Sequence, residues 1–378
     1  MDEICSKITD GSHNPPKGLP YPTDFKMISS QNVFNDVLDC SDVRYLSESD
    51  FMLEDKRTRI RKGDVLLTIV GTIGRCAVVK GDEGPIALQR SVAVLSPIED
   101  VLPRFLMYAL MGNRENLERE GHGIAQKGLY LKQLAKFKIF RPKSIDEQQR
   151  IVDELDILTG IIDKKKAQLR DLDALAQSIF YEMFGDPSES KYPVAKLSSL
   201  AIGKLSYGSG ASAIDFDGQI RYVRITDIQE DGRLSPDAMS PSQFDAKYLL
   251  NDGDILLARS GATVGKTYLY DSNDGNAVYA GYLIRFIPNR EIVLPEYIYH
   301  FTRSHYYKAF IASNAQAVAQ PNINAQQYGN LNVCVPPISE QKAFAEKIHF
   351  LESKRDMIWS SIKDTQILLY SRMSHYFD

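Results

Sequence analysis

A run of apolar residues at alternating steps of four and three constrains this chain more than any other feature. Ile151, Leu155, Leu158, Ile162, Leu169, Leu172, Ala176, Ile179 and Met183 fall on one helical stripe, and Lys165 is its only break. A heptad stripe held this long is a narrow seam, and it predicts a long helix packed on a partner helix. Ser144-Ile145-Asp146-Glu147 has the spacing of a capping box at the start. Gly185, with Pro187 after it, marks the stop. The partner is predicted in the same chain: Phe344, Ile348, Leu351, Ile358, Ile362 and Leu369 keep the frame, with Arg355 and Thr365 in two of its slots. A shift of 193 residues lays Ile151 on Phe344, Leu155 on Ile348 and Leu158 on Leu351. The entry signals also correspond, Ile145-Asp146-Glu147-Gln148 with Ile338-Ser339-Glu340-Gln341. Two unrelated amphipathic helices, each packed on its own core, would give the same periodicity.

The repeat extends beyond the helices. Lys62-Gly63-Asp64-Val65-Leu66-Leu67-Thr68 leads to Gly71-Thr72-Ile73-Gly74-Arg75, and Asp252-Gly253-Asp254-Ile255-Leu256-Leu257-Ala258 leads to Gly261-Ala262-Thr263-Val264-Gly265-Lys266. Each copy reads as a turn, a buried strand, a glycine-bounded tight loop and a basic residue opening another strand. Leu102-Pro103-Arg104-Phe105 is echoed by Leu294-Pro295-Glu296-Tyr297, each proline suiting the first turn of a helix, here reaching to about Glu120 and Ala312. Ile124-Ala125-Gln126 is echoed by Val318-Ala319-Gln320. Strand-like runs Phe137–Phe140 and Leu331–Val335 then enter Pro142 and Pro336. Upstream of Gly63 the copies diverge, although Met27–Val33 answers Tyr222–Ile228. The predicted organisation is a mixed α/β block over 1–143, a long helix over 144–186, a second block over 187–337 and a second long helix over 338–378. A helix of about 39 residues spans about 58 Å at ~1.5 Å per residue. Two such helices packed antiparallel would place the blocks at opposite ends about a pseudo-two-fold axis, a geometry suited to duplex DNA.

At 378 residues the chain is long enough for more than one domain. It has no run of 18 apolar residues, and Met1-Asp2-Glu3 does not open a basic-then-apolar signal, so the reading is a soluble, cytoplasmic protein with no membrane association. Cys5, Cys40, Cys76 and Cys334 are widely spaced, as in a reduced chain without a metal framework. The net charge of −4 argues weakly against nucleic acid, but residues 146–186 carry ten acidic against five basic residues. The acid excess therefore lies on the first long helix and leaves the blocks free to meet phosphate. Lys56-Arg57-Thr58-Arg59-Ile60-Arg61-Lys62 is a local basic run, readable as a solvated loop or as a phosphate contact.

The duplicated Gly-Asp-Ile/Val-Leu-Leu strand with its glycine loop, the Ala-Gln element and the Pro…Glu-Gln helix start resemble the specificity subunit of type I restriction–modification systems. The resemblance covers nearly the whole chain and rests on order and duplication, since each motif alone is loose. It implies two target-recognition domains, each reading half of a split site in double-stranded DNA, with the helices as spacer and docking surface. The implied partners are two methyltransferase (modification) subunits and motor-nuclease (restriction) subunits. The resemblance implies no catalytic residue, metal or cofactor in this chain.

Motifs for chemistry fall short. Ser260–Thr267 has Gly261 one residue too close to Gly265-Lys266-Thr267 for a phosphate-binding P-loop. Asn14-Pro15-Pro16 is followed by Lys17, where a base-flipping methyltransferase motif would carry an aromatic. Glu189-Ser190-Lys191 has a nuclease-like spacing but lies in a polar linker. The histidines show no metal pair around a general base, and His300 and His305 read as surface or packing residues of a helix. Candidate DNA contacts are chosen by chemistry, Arg and Lys for guanine, Asn and Gln for adenine, and hydroxyls for phosphate. In the first block they are His13, Lys17, Gln31, Asn32, Thr72, Arg75 and Arg90. In the second they are Arg224, Asp227, Arg259, Ser260, Thr263 and Lys266. Two readings from other classes stay open: a self-contained methyltransferase or nuclease with an unfamiliar site, and a coiled-coil interaction protein with no nucleic-acid role.

Overall fold

The computed structural model describes residues 1–122, 128–315 and 322–377. It forms two compact units, Met1–Lys165 with Ser360–Asp378, and Lys166–Trp359. The Ala-Gln elements at 124–126 and 318–320 lie outside the described residues.

Unit 1 carries β1 (Cys5–Asp10), β2 (Lys26–Ile28), β3 (Val33–Phe34), β4 (Val37–Leu38), β5 (Arg44–Tyr45), α1 (Glu48–Thr58), β6 (Val65–Thr68), β7 (Cys76–Val78), β8 (Ile86–Leu88), β9 (Val92–Pro97), α2 (Pro103–Gly112), α3 (Arg114–Glu120) and α4 (Leu131–Lys136). Its main sheet is antiparallel in the order β1-β9-β6-β7, and a smaller sheet runs β5-β2-β8. The long helix α5 (Ile145–Phe184) begins in this unit. Unit 2 continues with β10 (Val194–Lys196), β11 (Ser206–Tyr207), β12 (Ala213–Asp215), β13 (Arg221–Val223), β14 (Met239–Pro241), β15 (Ile255–Ala258), β16 (Thr267–Leu269), β17 (Ala277–Tyr279), β18 (Leu283–Phe286), α6 (Pro295–Phe301), α7 (His305–Ala315), α8 (Ala325–Gly329) and β19 (Asn332–Cys334). Its main sheet, β11-β18-β15-β16, repeats the first. The second long helix is α9 (Ile338–Phe377).

The predicted repeat holds at the level of single hydrogen bonds. Val65–Thr68 and Ile255–Ala258 are buried on both faces, as a central strand must be. Asp64 and Asp254, 4 % and 2 % exposed, each turn a carboxylate back onto the chain, to the Arg61 and Asn251 N–H groups at 2.8 and 2.6 Å. The weak upstream match is also real: β2 pairs parallel with β8 and β13 parallel with β17.

Three expectations need correction. The helix after Pro103 breaks at Asn113, whose side chain donates to the Ala109 carbonyl at 3.0 Å and so ends the first segment. The helix after Pro295 breaks between Phe301 and His305, where the Ser304 hydroxyl accepts the Tyr307 N–H at 3.2 Å and starts a new one. Phe137–Phe140 is not a strand, whereas its counterpart forms β19 because β10 pairs with it.

The long helices keep their predicted seams. Ile151, Leu155, Leu158, Ile162, Leu169, Phe344, Ile348, Leu351, Ile362 and Leu369 are buried, and Leu172, Ile179 and Ile358 are half-buried. In the last turns of α5 the buried role passes to Phe180 and Phe184, which meet Phe344 at 5.8 and 5.3 Å between ring centroids. Gly185 ends α5 at φ 75°, its N–H bonded to the Tyr181 carbonyl. The pairing is antiparallel within each unit. Glu154 binds Arg372 and Arg150 lies over the Tyr376 ring in unit 1, while Asp173 binds Arg355 in unit 2.

Each helix is joined to its block by one fully buried glutamine. Gln148 accepts the Leu102 N–H at 3.0 Å and donates to the Asp100 and Pro142 carbonyls at 2.9 and 3.1 Å. Gln341 accepts the Leu294 N–H at 2.8 Å and donates to the Ile292 and Pro336 carbonyls at 3.1 and 2.8 Å. Gln341→Leu removes the partner of three backbone groups, of which the Pro336 carbonyl is bonded in a fully buried setting, so denaturant unfolding should show a loss of about 1–3 kcal/mol. Gln149→Leu, one residue beyond Gln148 on an exposed position, should stay within about 0.5 kcal/mol of the parent.

Candidate nucleic-acid interface

In each unit the glycine loop closes one end of the main sheet. Thr68 shapes the first loop: its hydroxyl donates to the Thr72 carbonyl and accepts the Arg75 N–H at 3.0 Å. Gly74 and Gly265 donate to the carbonyls of Thr68 and Ala258, so both loops close in the same way. Lys266 leads into the strand β16 and not into a helix, so the loop lacks the helix N-terminus on which a P-loop depends.

Other loops meet the glycine loop at this end. In unit 1, Ser12 bridges Gln89, Arg90 donates its N–H to the Ser12 carbonyl, and Ile69 donates to the Ser91 carbonyl. In unit 2, Ser209 bridges Ala280, and Arg259 donates its N–H to the Tyr282 carbonyl at 3.1 Å. The approach is close enough to demand glycine. A Cβ on Gly11 would stand 2.0 Å from the Leu88 carbonyl oxygen, and one on Gly208 would stand 2.3 Å from that of Tyr279.

Arg259, half-buried, departs from the shared framework. Its counterpart Ile69 is 3 % exposed, whereas the Arg259 guanidinium lies over the Tyr207 ring at 4.8 Å and donates from Nε to Asn322 Oδ1 at 3.3 Å. The Tyr207 hydroxyl accepts the Ala325 N–H at 3.0 Å, so the ring that carries Arg259 is itself held. Ser260 bridges Asn322, and Thr263 donates its hydroxyl to the Ser260 carbonyl at 3.1 Å. Tyr282 stands beside this group, 62 % exposed. Asp254 does not reach Arg259; it pairs with Arg285 at 2.5 Å.

The first block presents a looser set. Lys17, Gln31 and Arg90 have exposed side chains with no polar partner among the described residues. Arg75 lies over the Phe34 ring at 5.4 Å. His13 meets Asp10 at 3.0 Å, and Asp10 also binds Arg57, which takes that residue out of the basic run. The Thr72 hydroxyl is buried without a partner. Arg59, Arg61 and Lys62 line a cavity of about 480 Å³ at the start of β6, the end of that strand away from the glycine loop.

Three candidates turn inward. Asn32 is 6 % exposed; its Oδ1 accepts the Ser29 N–H at 2.9 Å and its Nδ2 donates to the Asp39 and Asp42 carbonyls. Asp227, 2 % exposed, holds the matching turn by accepting the Arg224 N–H at 2.9 Å, and it ties down the Arg224 guanidinium at 2.6 Å. Lys266 is drawn to Glu230 at 2.8 Å and the Ile228 carbonyl at 3.3 Å. The chemistry of Asn32 and Asp227 suits a base, but their bonding capacity is spent on the fold, whereas Lys266 is held by an exposed carboxylate.

Sequence reasoning passed over Tyr207, Tyr282 and Asn322. The first two flank loop glycines, as Tyr207-Gly208 and Gly281-Tyr282, and an exposed aromatic beside a required glycine is the signal that could have found them. His300 is a packing residue, 4 % exposed and edge-on to Phe344, and burial pushes its imidazole down to about 3, so it stays neutral. His305 stacks on Tyr181. Among the described residues no group of three or more His, Cys, Asp or Glu converges as metal ligands, and no helix is long and apolar enough to cross a membrane.

The family model for the type I restriction modification DNA specificity domain matches twice, over residues 22–172 and 198–362. The chain belongs to that family. Each match takes in one block and most of one long helix, so the family's unit is the repeat itself. The EcoBI type I restriction enzyme specificity subunit of Escherichia coli is 32 % identical over 154 residues, 39 % of this chain and 32 % of that protein. The putative MjaX specificity subunit of Methanocaldococcus jannaschii is 33 % identical over 107 residues, 27 % of this chain and 24 % of that protein. The matches thus span about a third or less of these relatives. The solved structure of the type I S subunit from M. genitalium shares the fold, with a TM-score of 0.50 at 13 % identity over 100 % of this chain and 94 % of that one.

Within this specificity-domain fold, Arg224 and Arg259 should separate in a stability measurement. Arg224→Ala leaves the buried Asp227 carboxylate without its cation and should cost about 1–2 kcal/mol in denaturant unfolding, a partial form of the penalty for breaking a buried pair. Arg259→Ala should cost less than about 1 kcal/mol, the range of exposed polar contacts.

Proposed function

We propose that this chain is the DNA-reading, non-catalytic subunit of a type I restriction–modification complex. The observation that carries the reading is the double family match, one copy on each repeat. Residues 1–143 and 187–337 act as two target-recognition domains, each reading one half of a split duplex site from the loop end of its main sheet. Residues 144–186 and 338–378, the long helices, carry the partner subunits.

His13, Lys17, Gln31, Arg75 and Arg90 serve the first half-site, and Thr72, whose hydroxyl is buried, shapes the loop that presents them. Arg259, Ser260 and Thr263 serve the second, joined by Tyr207, Tyr282 and Asn322. Arginine pairs well with the O6 and N7 of guanine, and a guanidinium already stacked on Tyr207 loses little freedom on binding. Exposed tyrosines suit phosphate or sugar contacts that fix register. The outer faces of the helices carry exposed apolar residues, among them Ile157 at 63 %, Phe350 at 61 % and Met357 at 62 %. That is more apolar surface than a solvated helix needs, and it suits docking of two methyltransferase subunits and, with them, motor-nuclease subunits in the cytoplasm.

Mapping methylated adenines across a genome, with and without this gene, tests the reading. The gene should add one motif with two specific halves around an unspecified gap, and the purified chain alone should neither methylate nor cut DNA. Arg259→Ala should relax one position in one half only, by about 1–3 kcal/mol of discrimination. Methyl transfer by the isolated chain, or a variant that alters both halves alike, would refute it.

A further inference from the structure

One register position at the loop end of the main sheet carries a different side chain in each copy. Asp10 lies opposite Ala93 and Tyr207 lies opposite Ile284, in both cases the second residue of the paired strand, β9 or β18. The residue that follows is a glycine whose N–H reaches the first residue of that strand: Gly11 to the Val92 carbonyl at 3.2 Å, Gly208 to the Leu283 carbonyl at 3.3 Å. A serine comes next, and the Ser12 and Ser209 N–H groups bond the Leu88 and Tyr279 carbonyls, each at 2.8 Å. With the backbone paired alike, the side chains of Asp10 and Tyr207 leave the sheet on the same face.

A guanidinium meets each of these side chains, and it arrives by two routes. On Tyr207 it is that of Arg259, which follows the central strand. The matching residue of the first copy, Ile69, is buried and has no cation to supply. There Arg57 takes the place, from the last turn of α1, with Nη2 donating to Asp10 Oδ1. Unit 2 has no such helix among the described residues; a single 3-10 turn, Ala246–Tyr248, stands between β14 and β15. The Arg57 arrangement is stiff. Lys7, on the same strand as Asp10, donates from Nζ to the Thr58 and Arg59 carbonyls at 2.6 and 3.0 Å and so pins the end of α1. Asp10 is 7 % exposed, and its other oxygen lies 3.0 Å from His13 Nε2. A buried carboxylate is costly without a partner, so Asp10 holds its cation in place. The Arg57 side chain is nevertheless 50 % exposed, with no second polar partner among the described residues. A guanidinium carries five N–H donors, so most of this fork is open to a ligand.

We propose that Arg57 is a specificity-determining residue of the first half-site, a guanidinium held by Asp10 for two-pronged contact with the edge of a guanine. It does for the first block what Arg259 does for the second. This inference rests on the reading of the chain as a DNA-reading subunit. An arginine fixed before binding gives up little rotamer freedom when it meets the base, and the flat fork matches guanine O6 and N7. A phosphate contact fits the pair less well, because the adjacent Asp10 carboxylate offsets the attraction of Arg57 for an anion. Asp10 is a positioning residue that acts through Arg57.

The test maps methylated adenines in cells that carry this gene as the parent, as Arg57→Lys, as Asp10→Asn or as Arg259→Ala, each in place of the chromosomal copy. Lysine keeps a cation beside Asp10 but has no fork, so the purified Arg57→Lys chain should melt like the parent. In the cell it should relax one guanine position by about tenfold or more, in the half of the motif that Arg259→Ala leaves intact. Asp10→Asn should relax that same position and no other, since it loosens the guanidinium without removing it. Arg57 is removed from the recognition surface if Arg57→Lys leaves the motif unchanged, the outcome of a phosphate contact or of an ion pair that serves the fold alone. The same follows if Arg57→Lys and Arg259→Ala relax the same half, or if Asp10→Asn relaxes a different position. A parent gene that adds no motif overturns the DNA-reading function and this inference with it, whereas a parent motif that Arg57→Lys preserves overturns this inference alone.

Discussion

The buried amides of Gln148 and Gln341 are the joints on which both repeats depend. Each ties the first turns of a long helix to two carbonyls and an N–H of the adjoining block, and each is 0 % exposed. An apolar residue would leave those backbone groups unpaired, and a charged one would lose either the donor or the acceptor. Glutamine supplies both functions from one planar group. The helix is therefore aimed at its block by hydrogen bonds with direction, where a greasy contact would let it slide. Phe105 against Phe377 in unit 1, and Tyr297 against Phe184 in unit 2, then pack the same junction with aromatic edges.

Around these joints the side-chain ties have diverged while the backbone has not. Arg104 binds Asp156 in the first copy, and the residues at the same places in the second are Glu296 and His349, 3.0 Å apart. The carboxylate has exchanged sides and the contact has survived. Tyr108 closes the first network through Asp156, and burial together with that carboxylate pushes its phenol well above the ordinary range. Its counterpart His300 is instead wrapped by rings and kept neutral. Contacts that hold a helix to a sheet can change partners freely, provided that the buried polar groups stay paired or uncharged.

The seams, the glycine loops and the order of elements were legible in the residues because each rests on local periodicity or turn chemistry. Asn113 and Ser304 broke the two shorter helices through side-chain bonds to backbone, a choice that helix propensity alone does not reveal. The strand at 137–140 failed for a different reason. Its residues match those of β19, but a strand exists only when something pairs with it, and pairing is not a property of the segment. The same gap between local chemistry and context governs the candidate contacts. Asn32 and Asp227 have the right groups for a base edge, and both are consumed by a turn that the two repeats share.

That sorting says how one framework can present two different surfaces. The residues that hold the loops do so through backbone atoms and buried polar groups: Ser12 to Gln89, Ser209 to Ala280, Ile69 to Ser91, Arg259 to Tyr282. None of these bonds specifies the exposed side chain. At the position after the central strand, Ile69 fills a pocket and Arg259 reaches out onto Tyr207, while the backbone bonds on either side are the same: N–H to Ser91 or Tyr282, and C=O from Leu129 or Ile323. A substitution there changes what is offered to a partner without disturbing a hydrogen bond that the fold requires. Arg224 shows the opposite case, since it is paired with the buried carboxylate of Asp227 and cannot be exchanged without leaving that charge behind. The face of each block is therefore free to vary only where its polar groups are not already part of the turn beneath it.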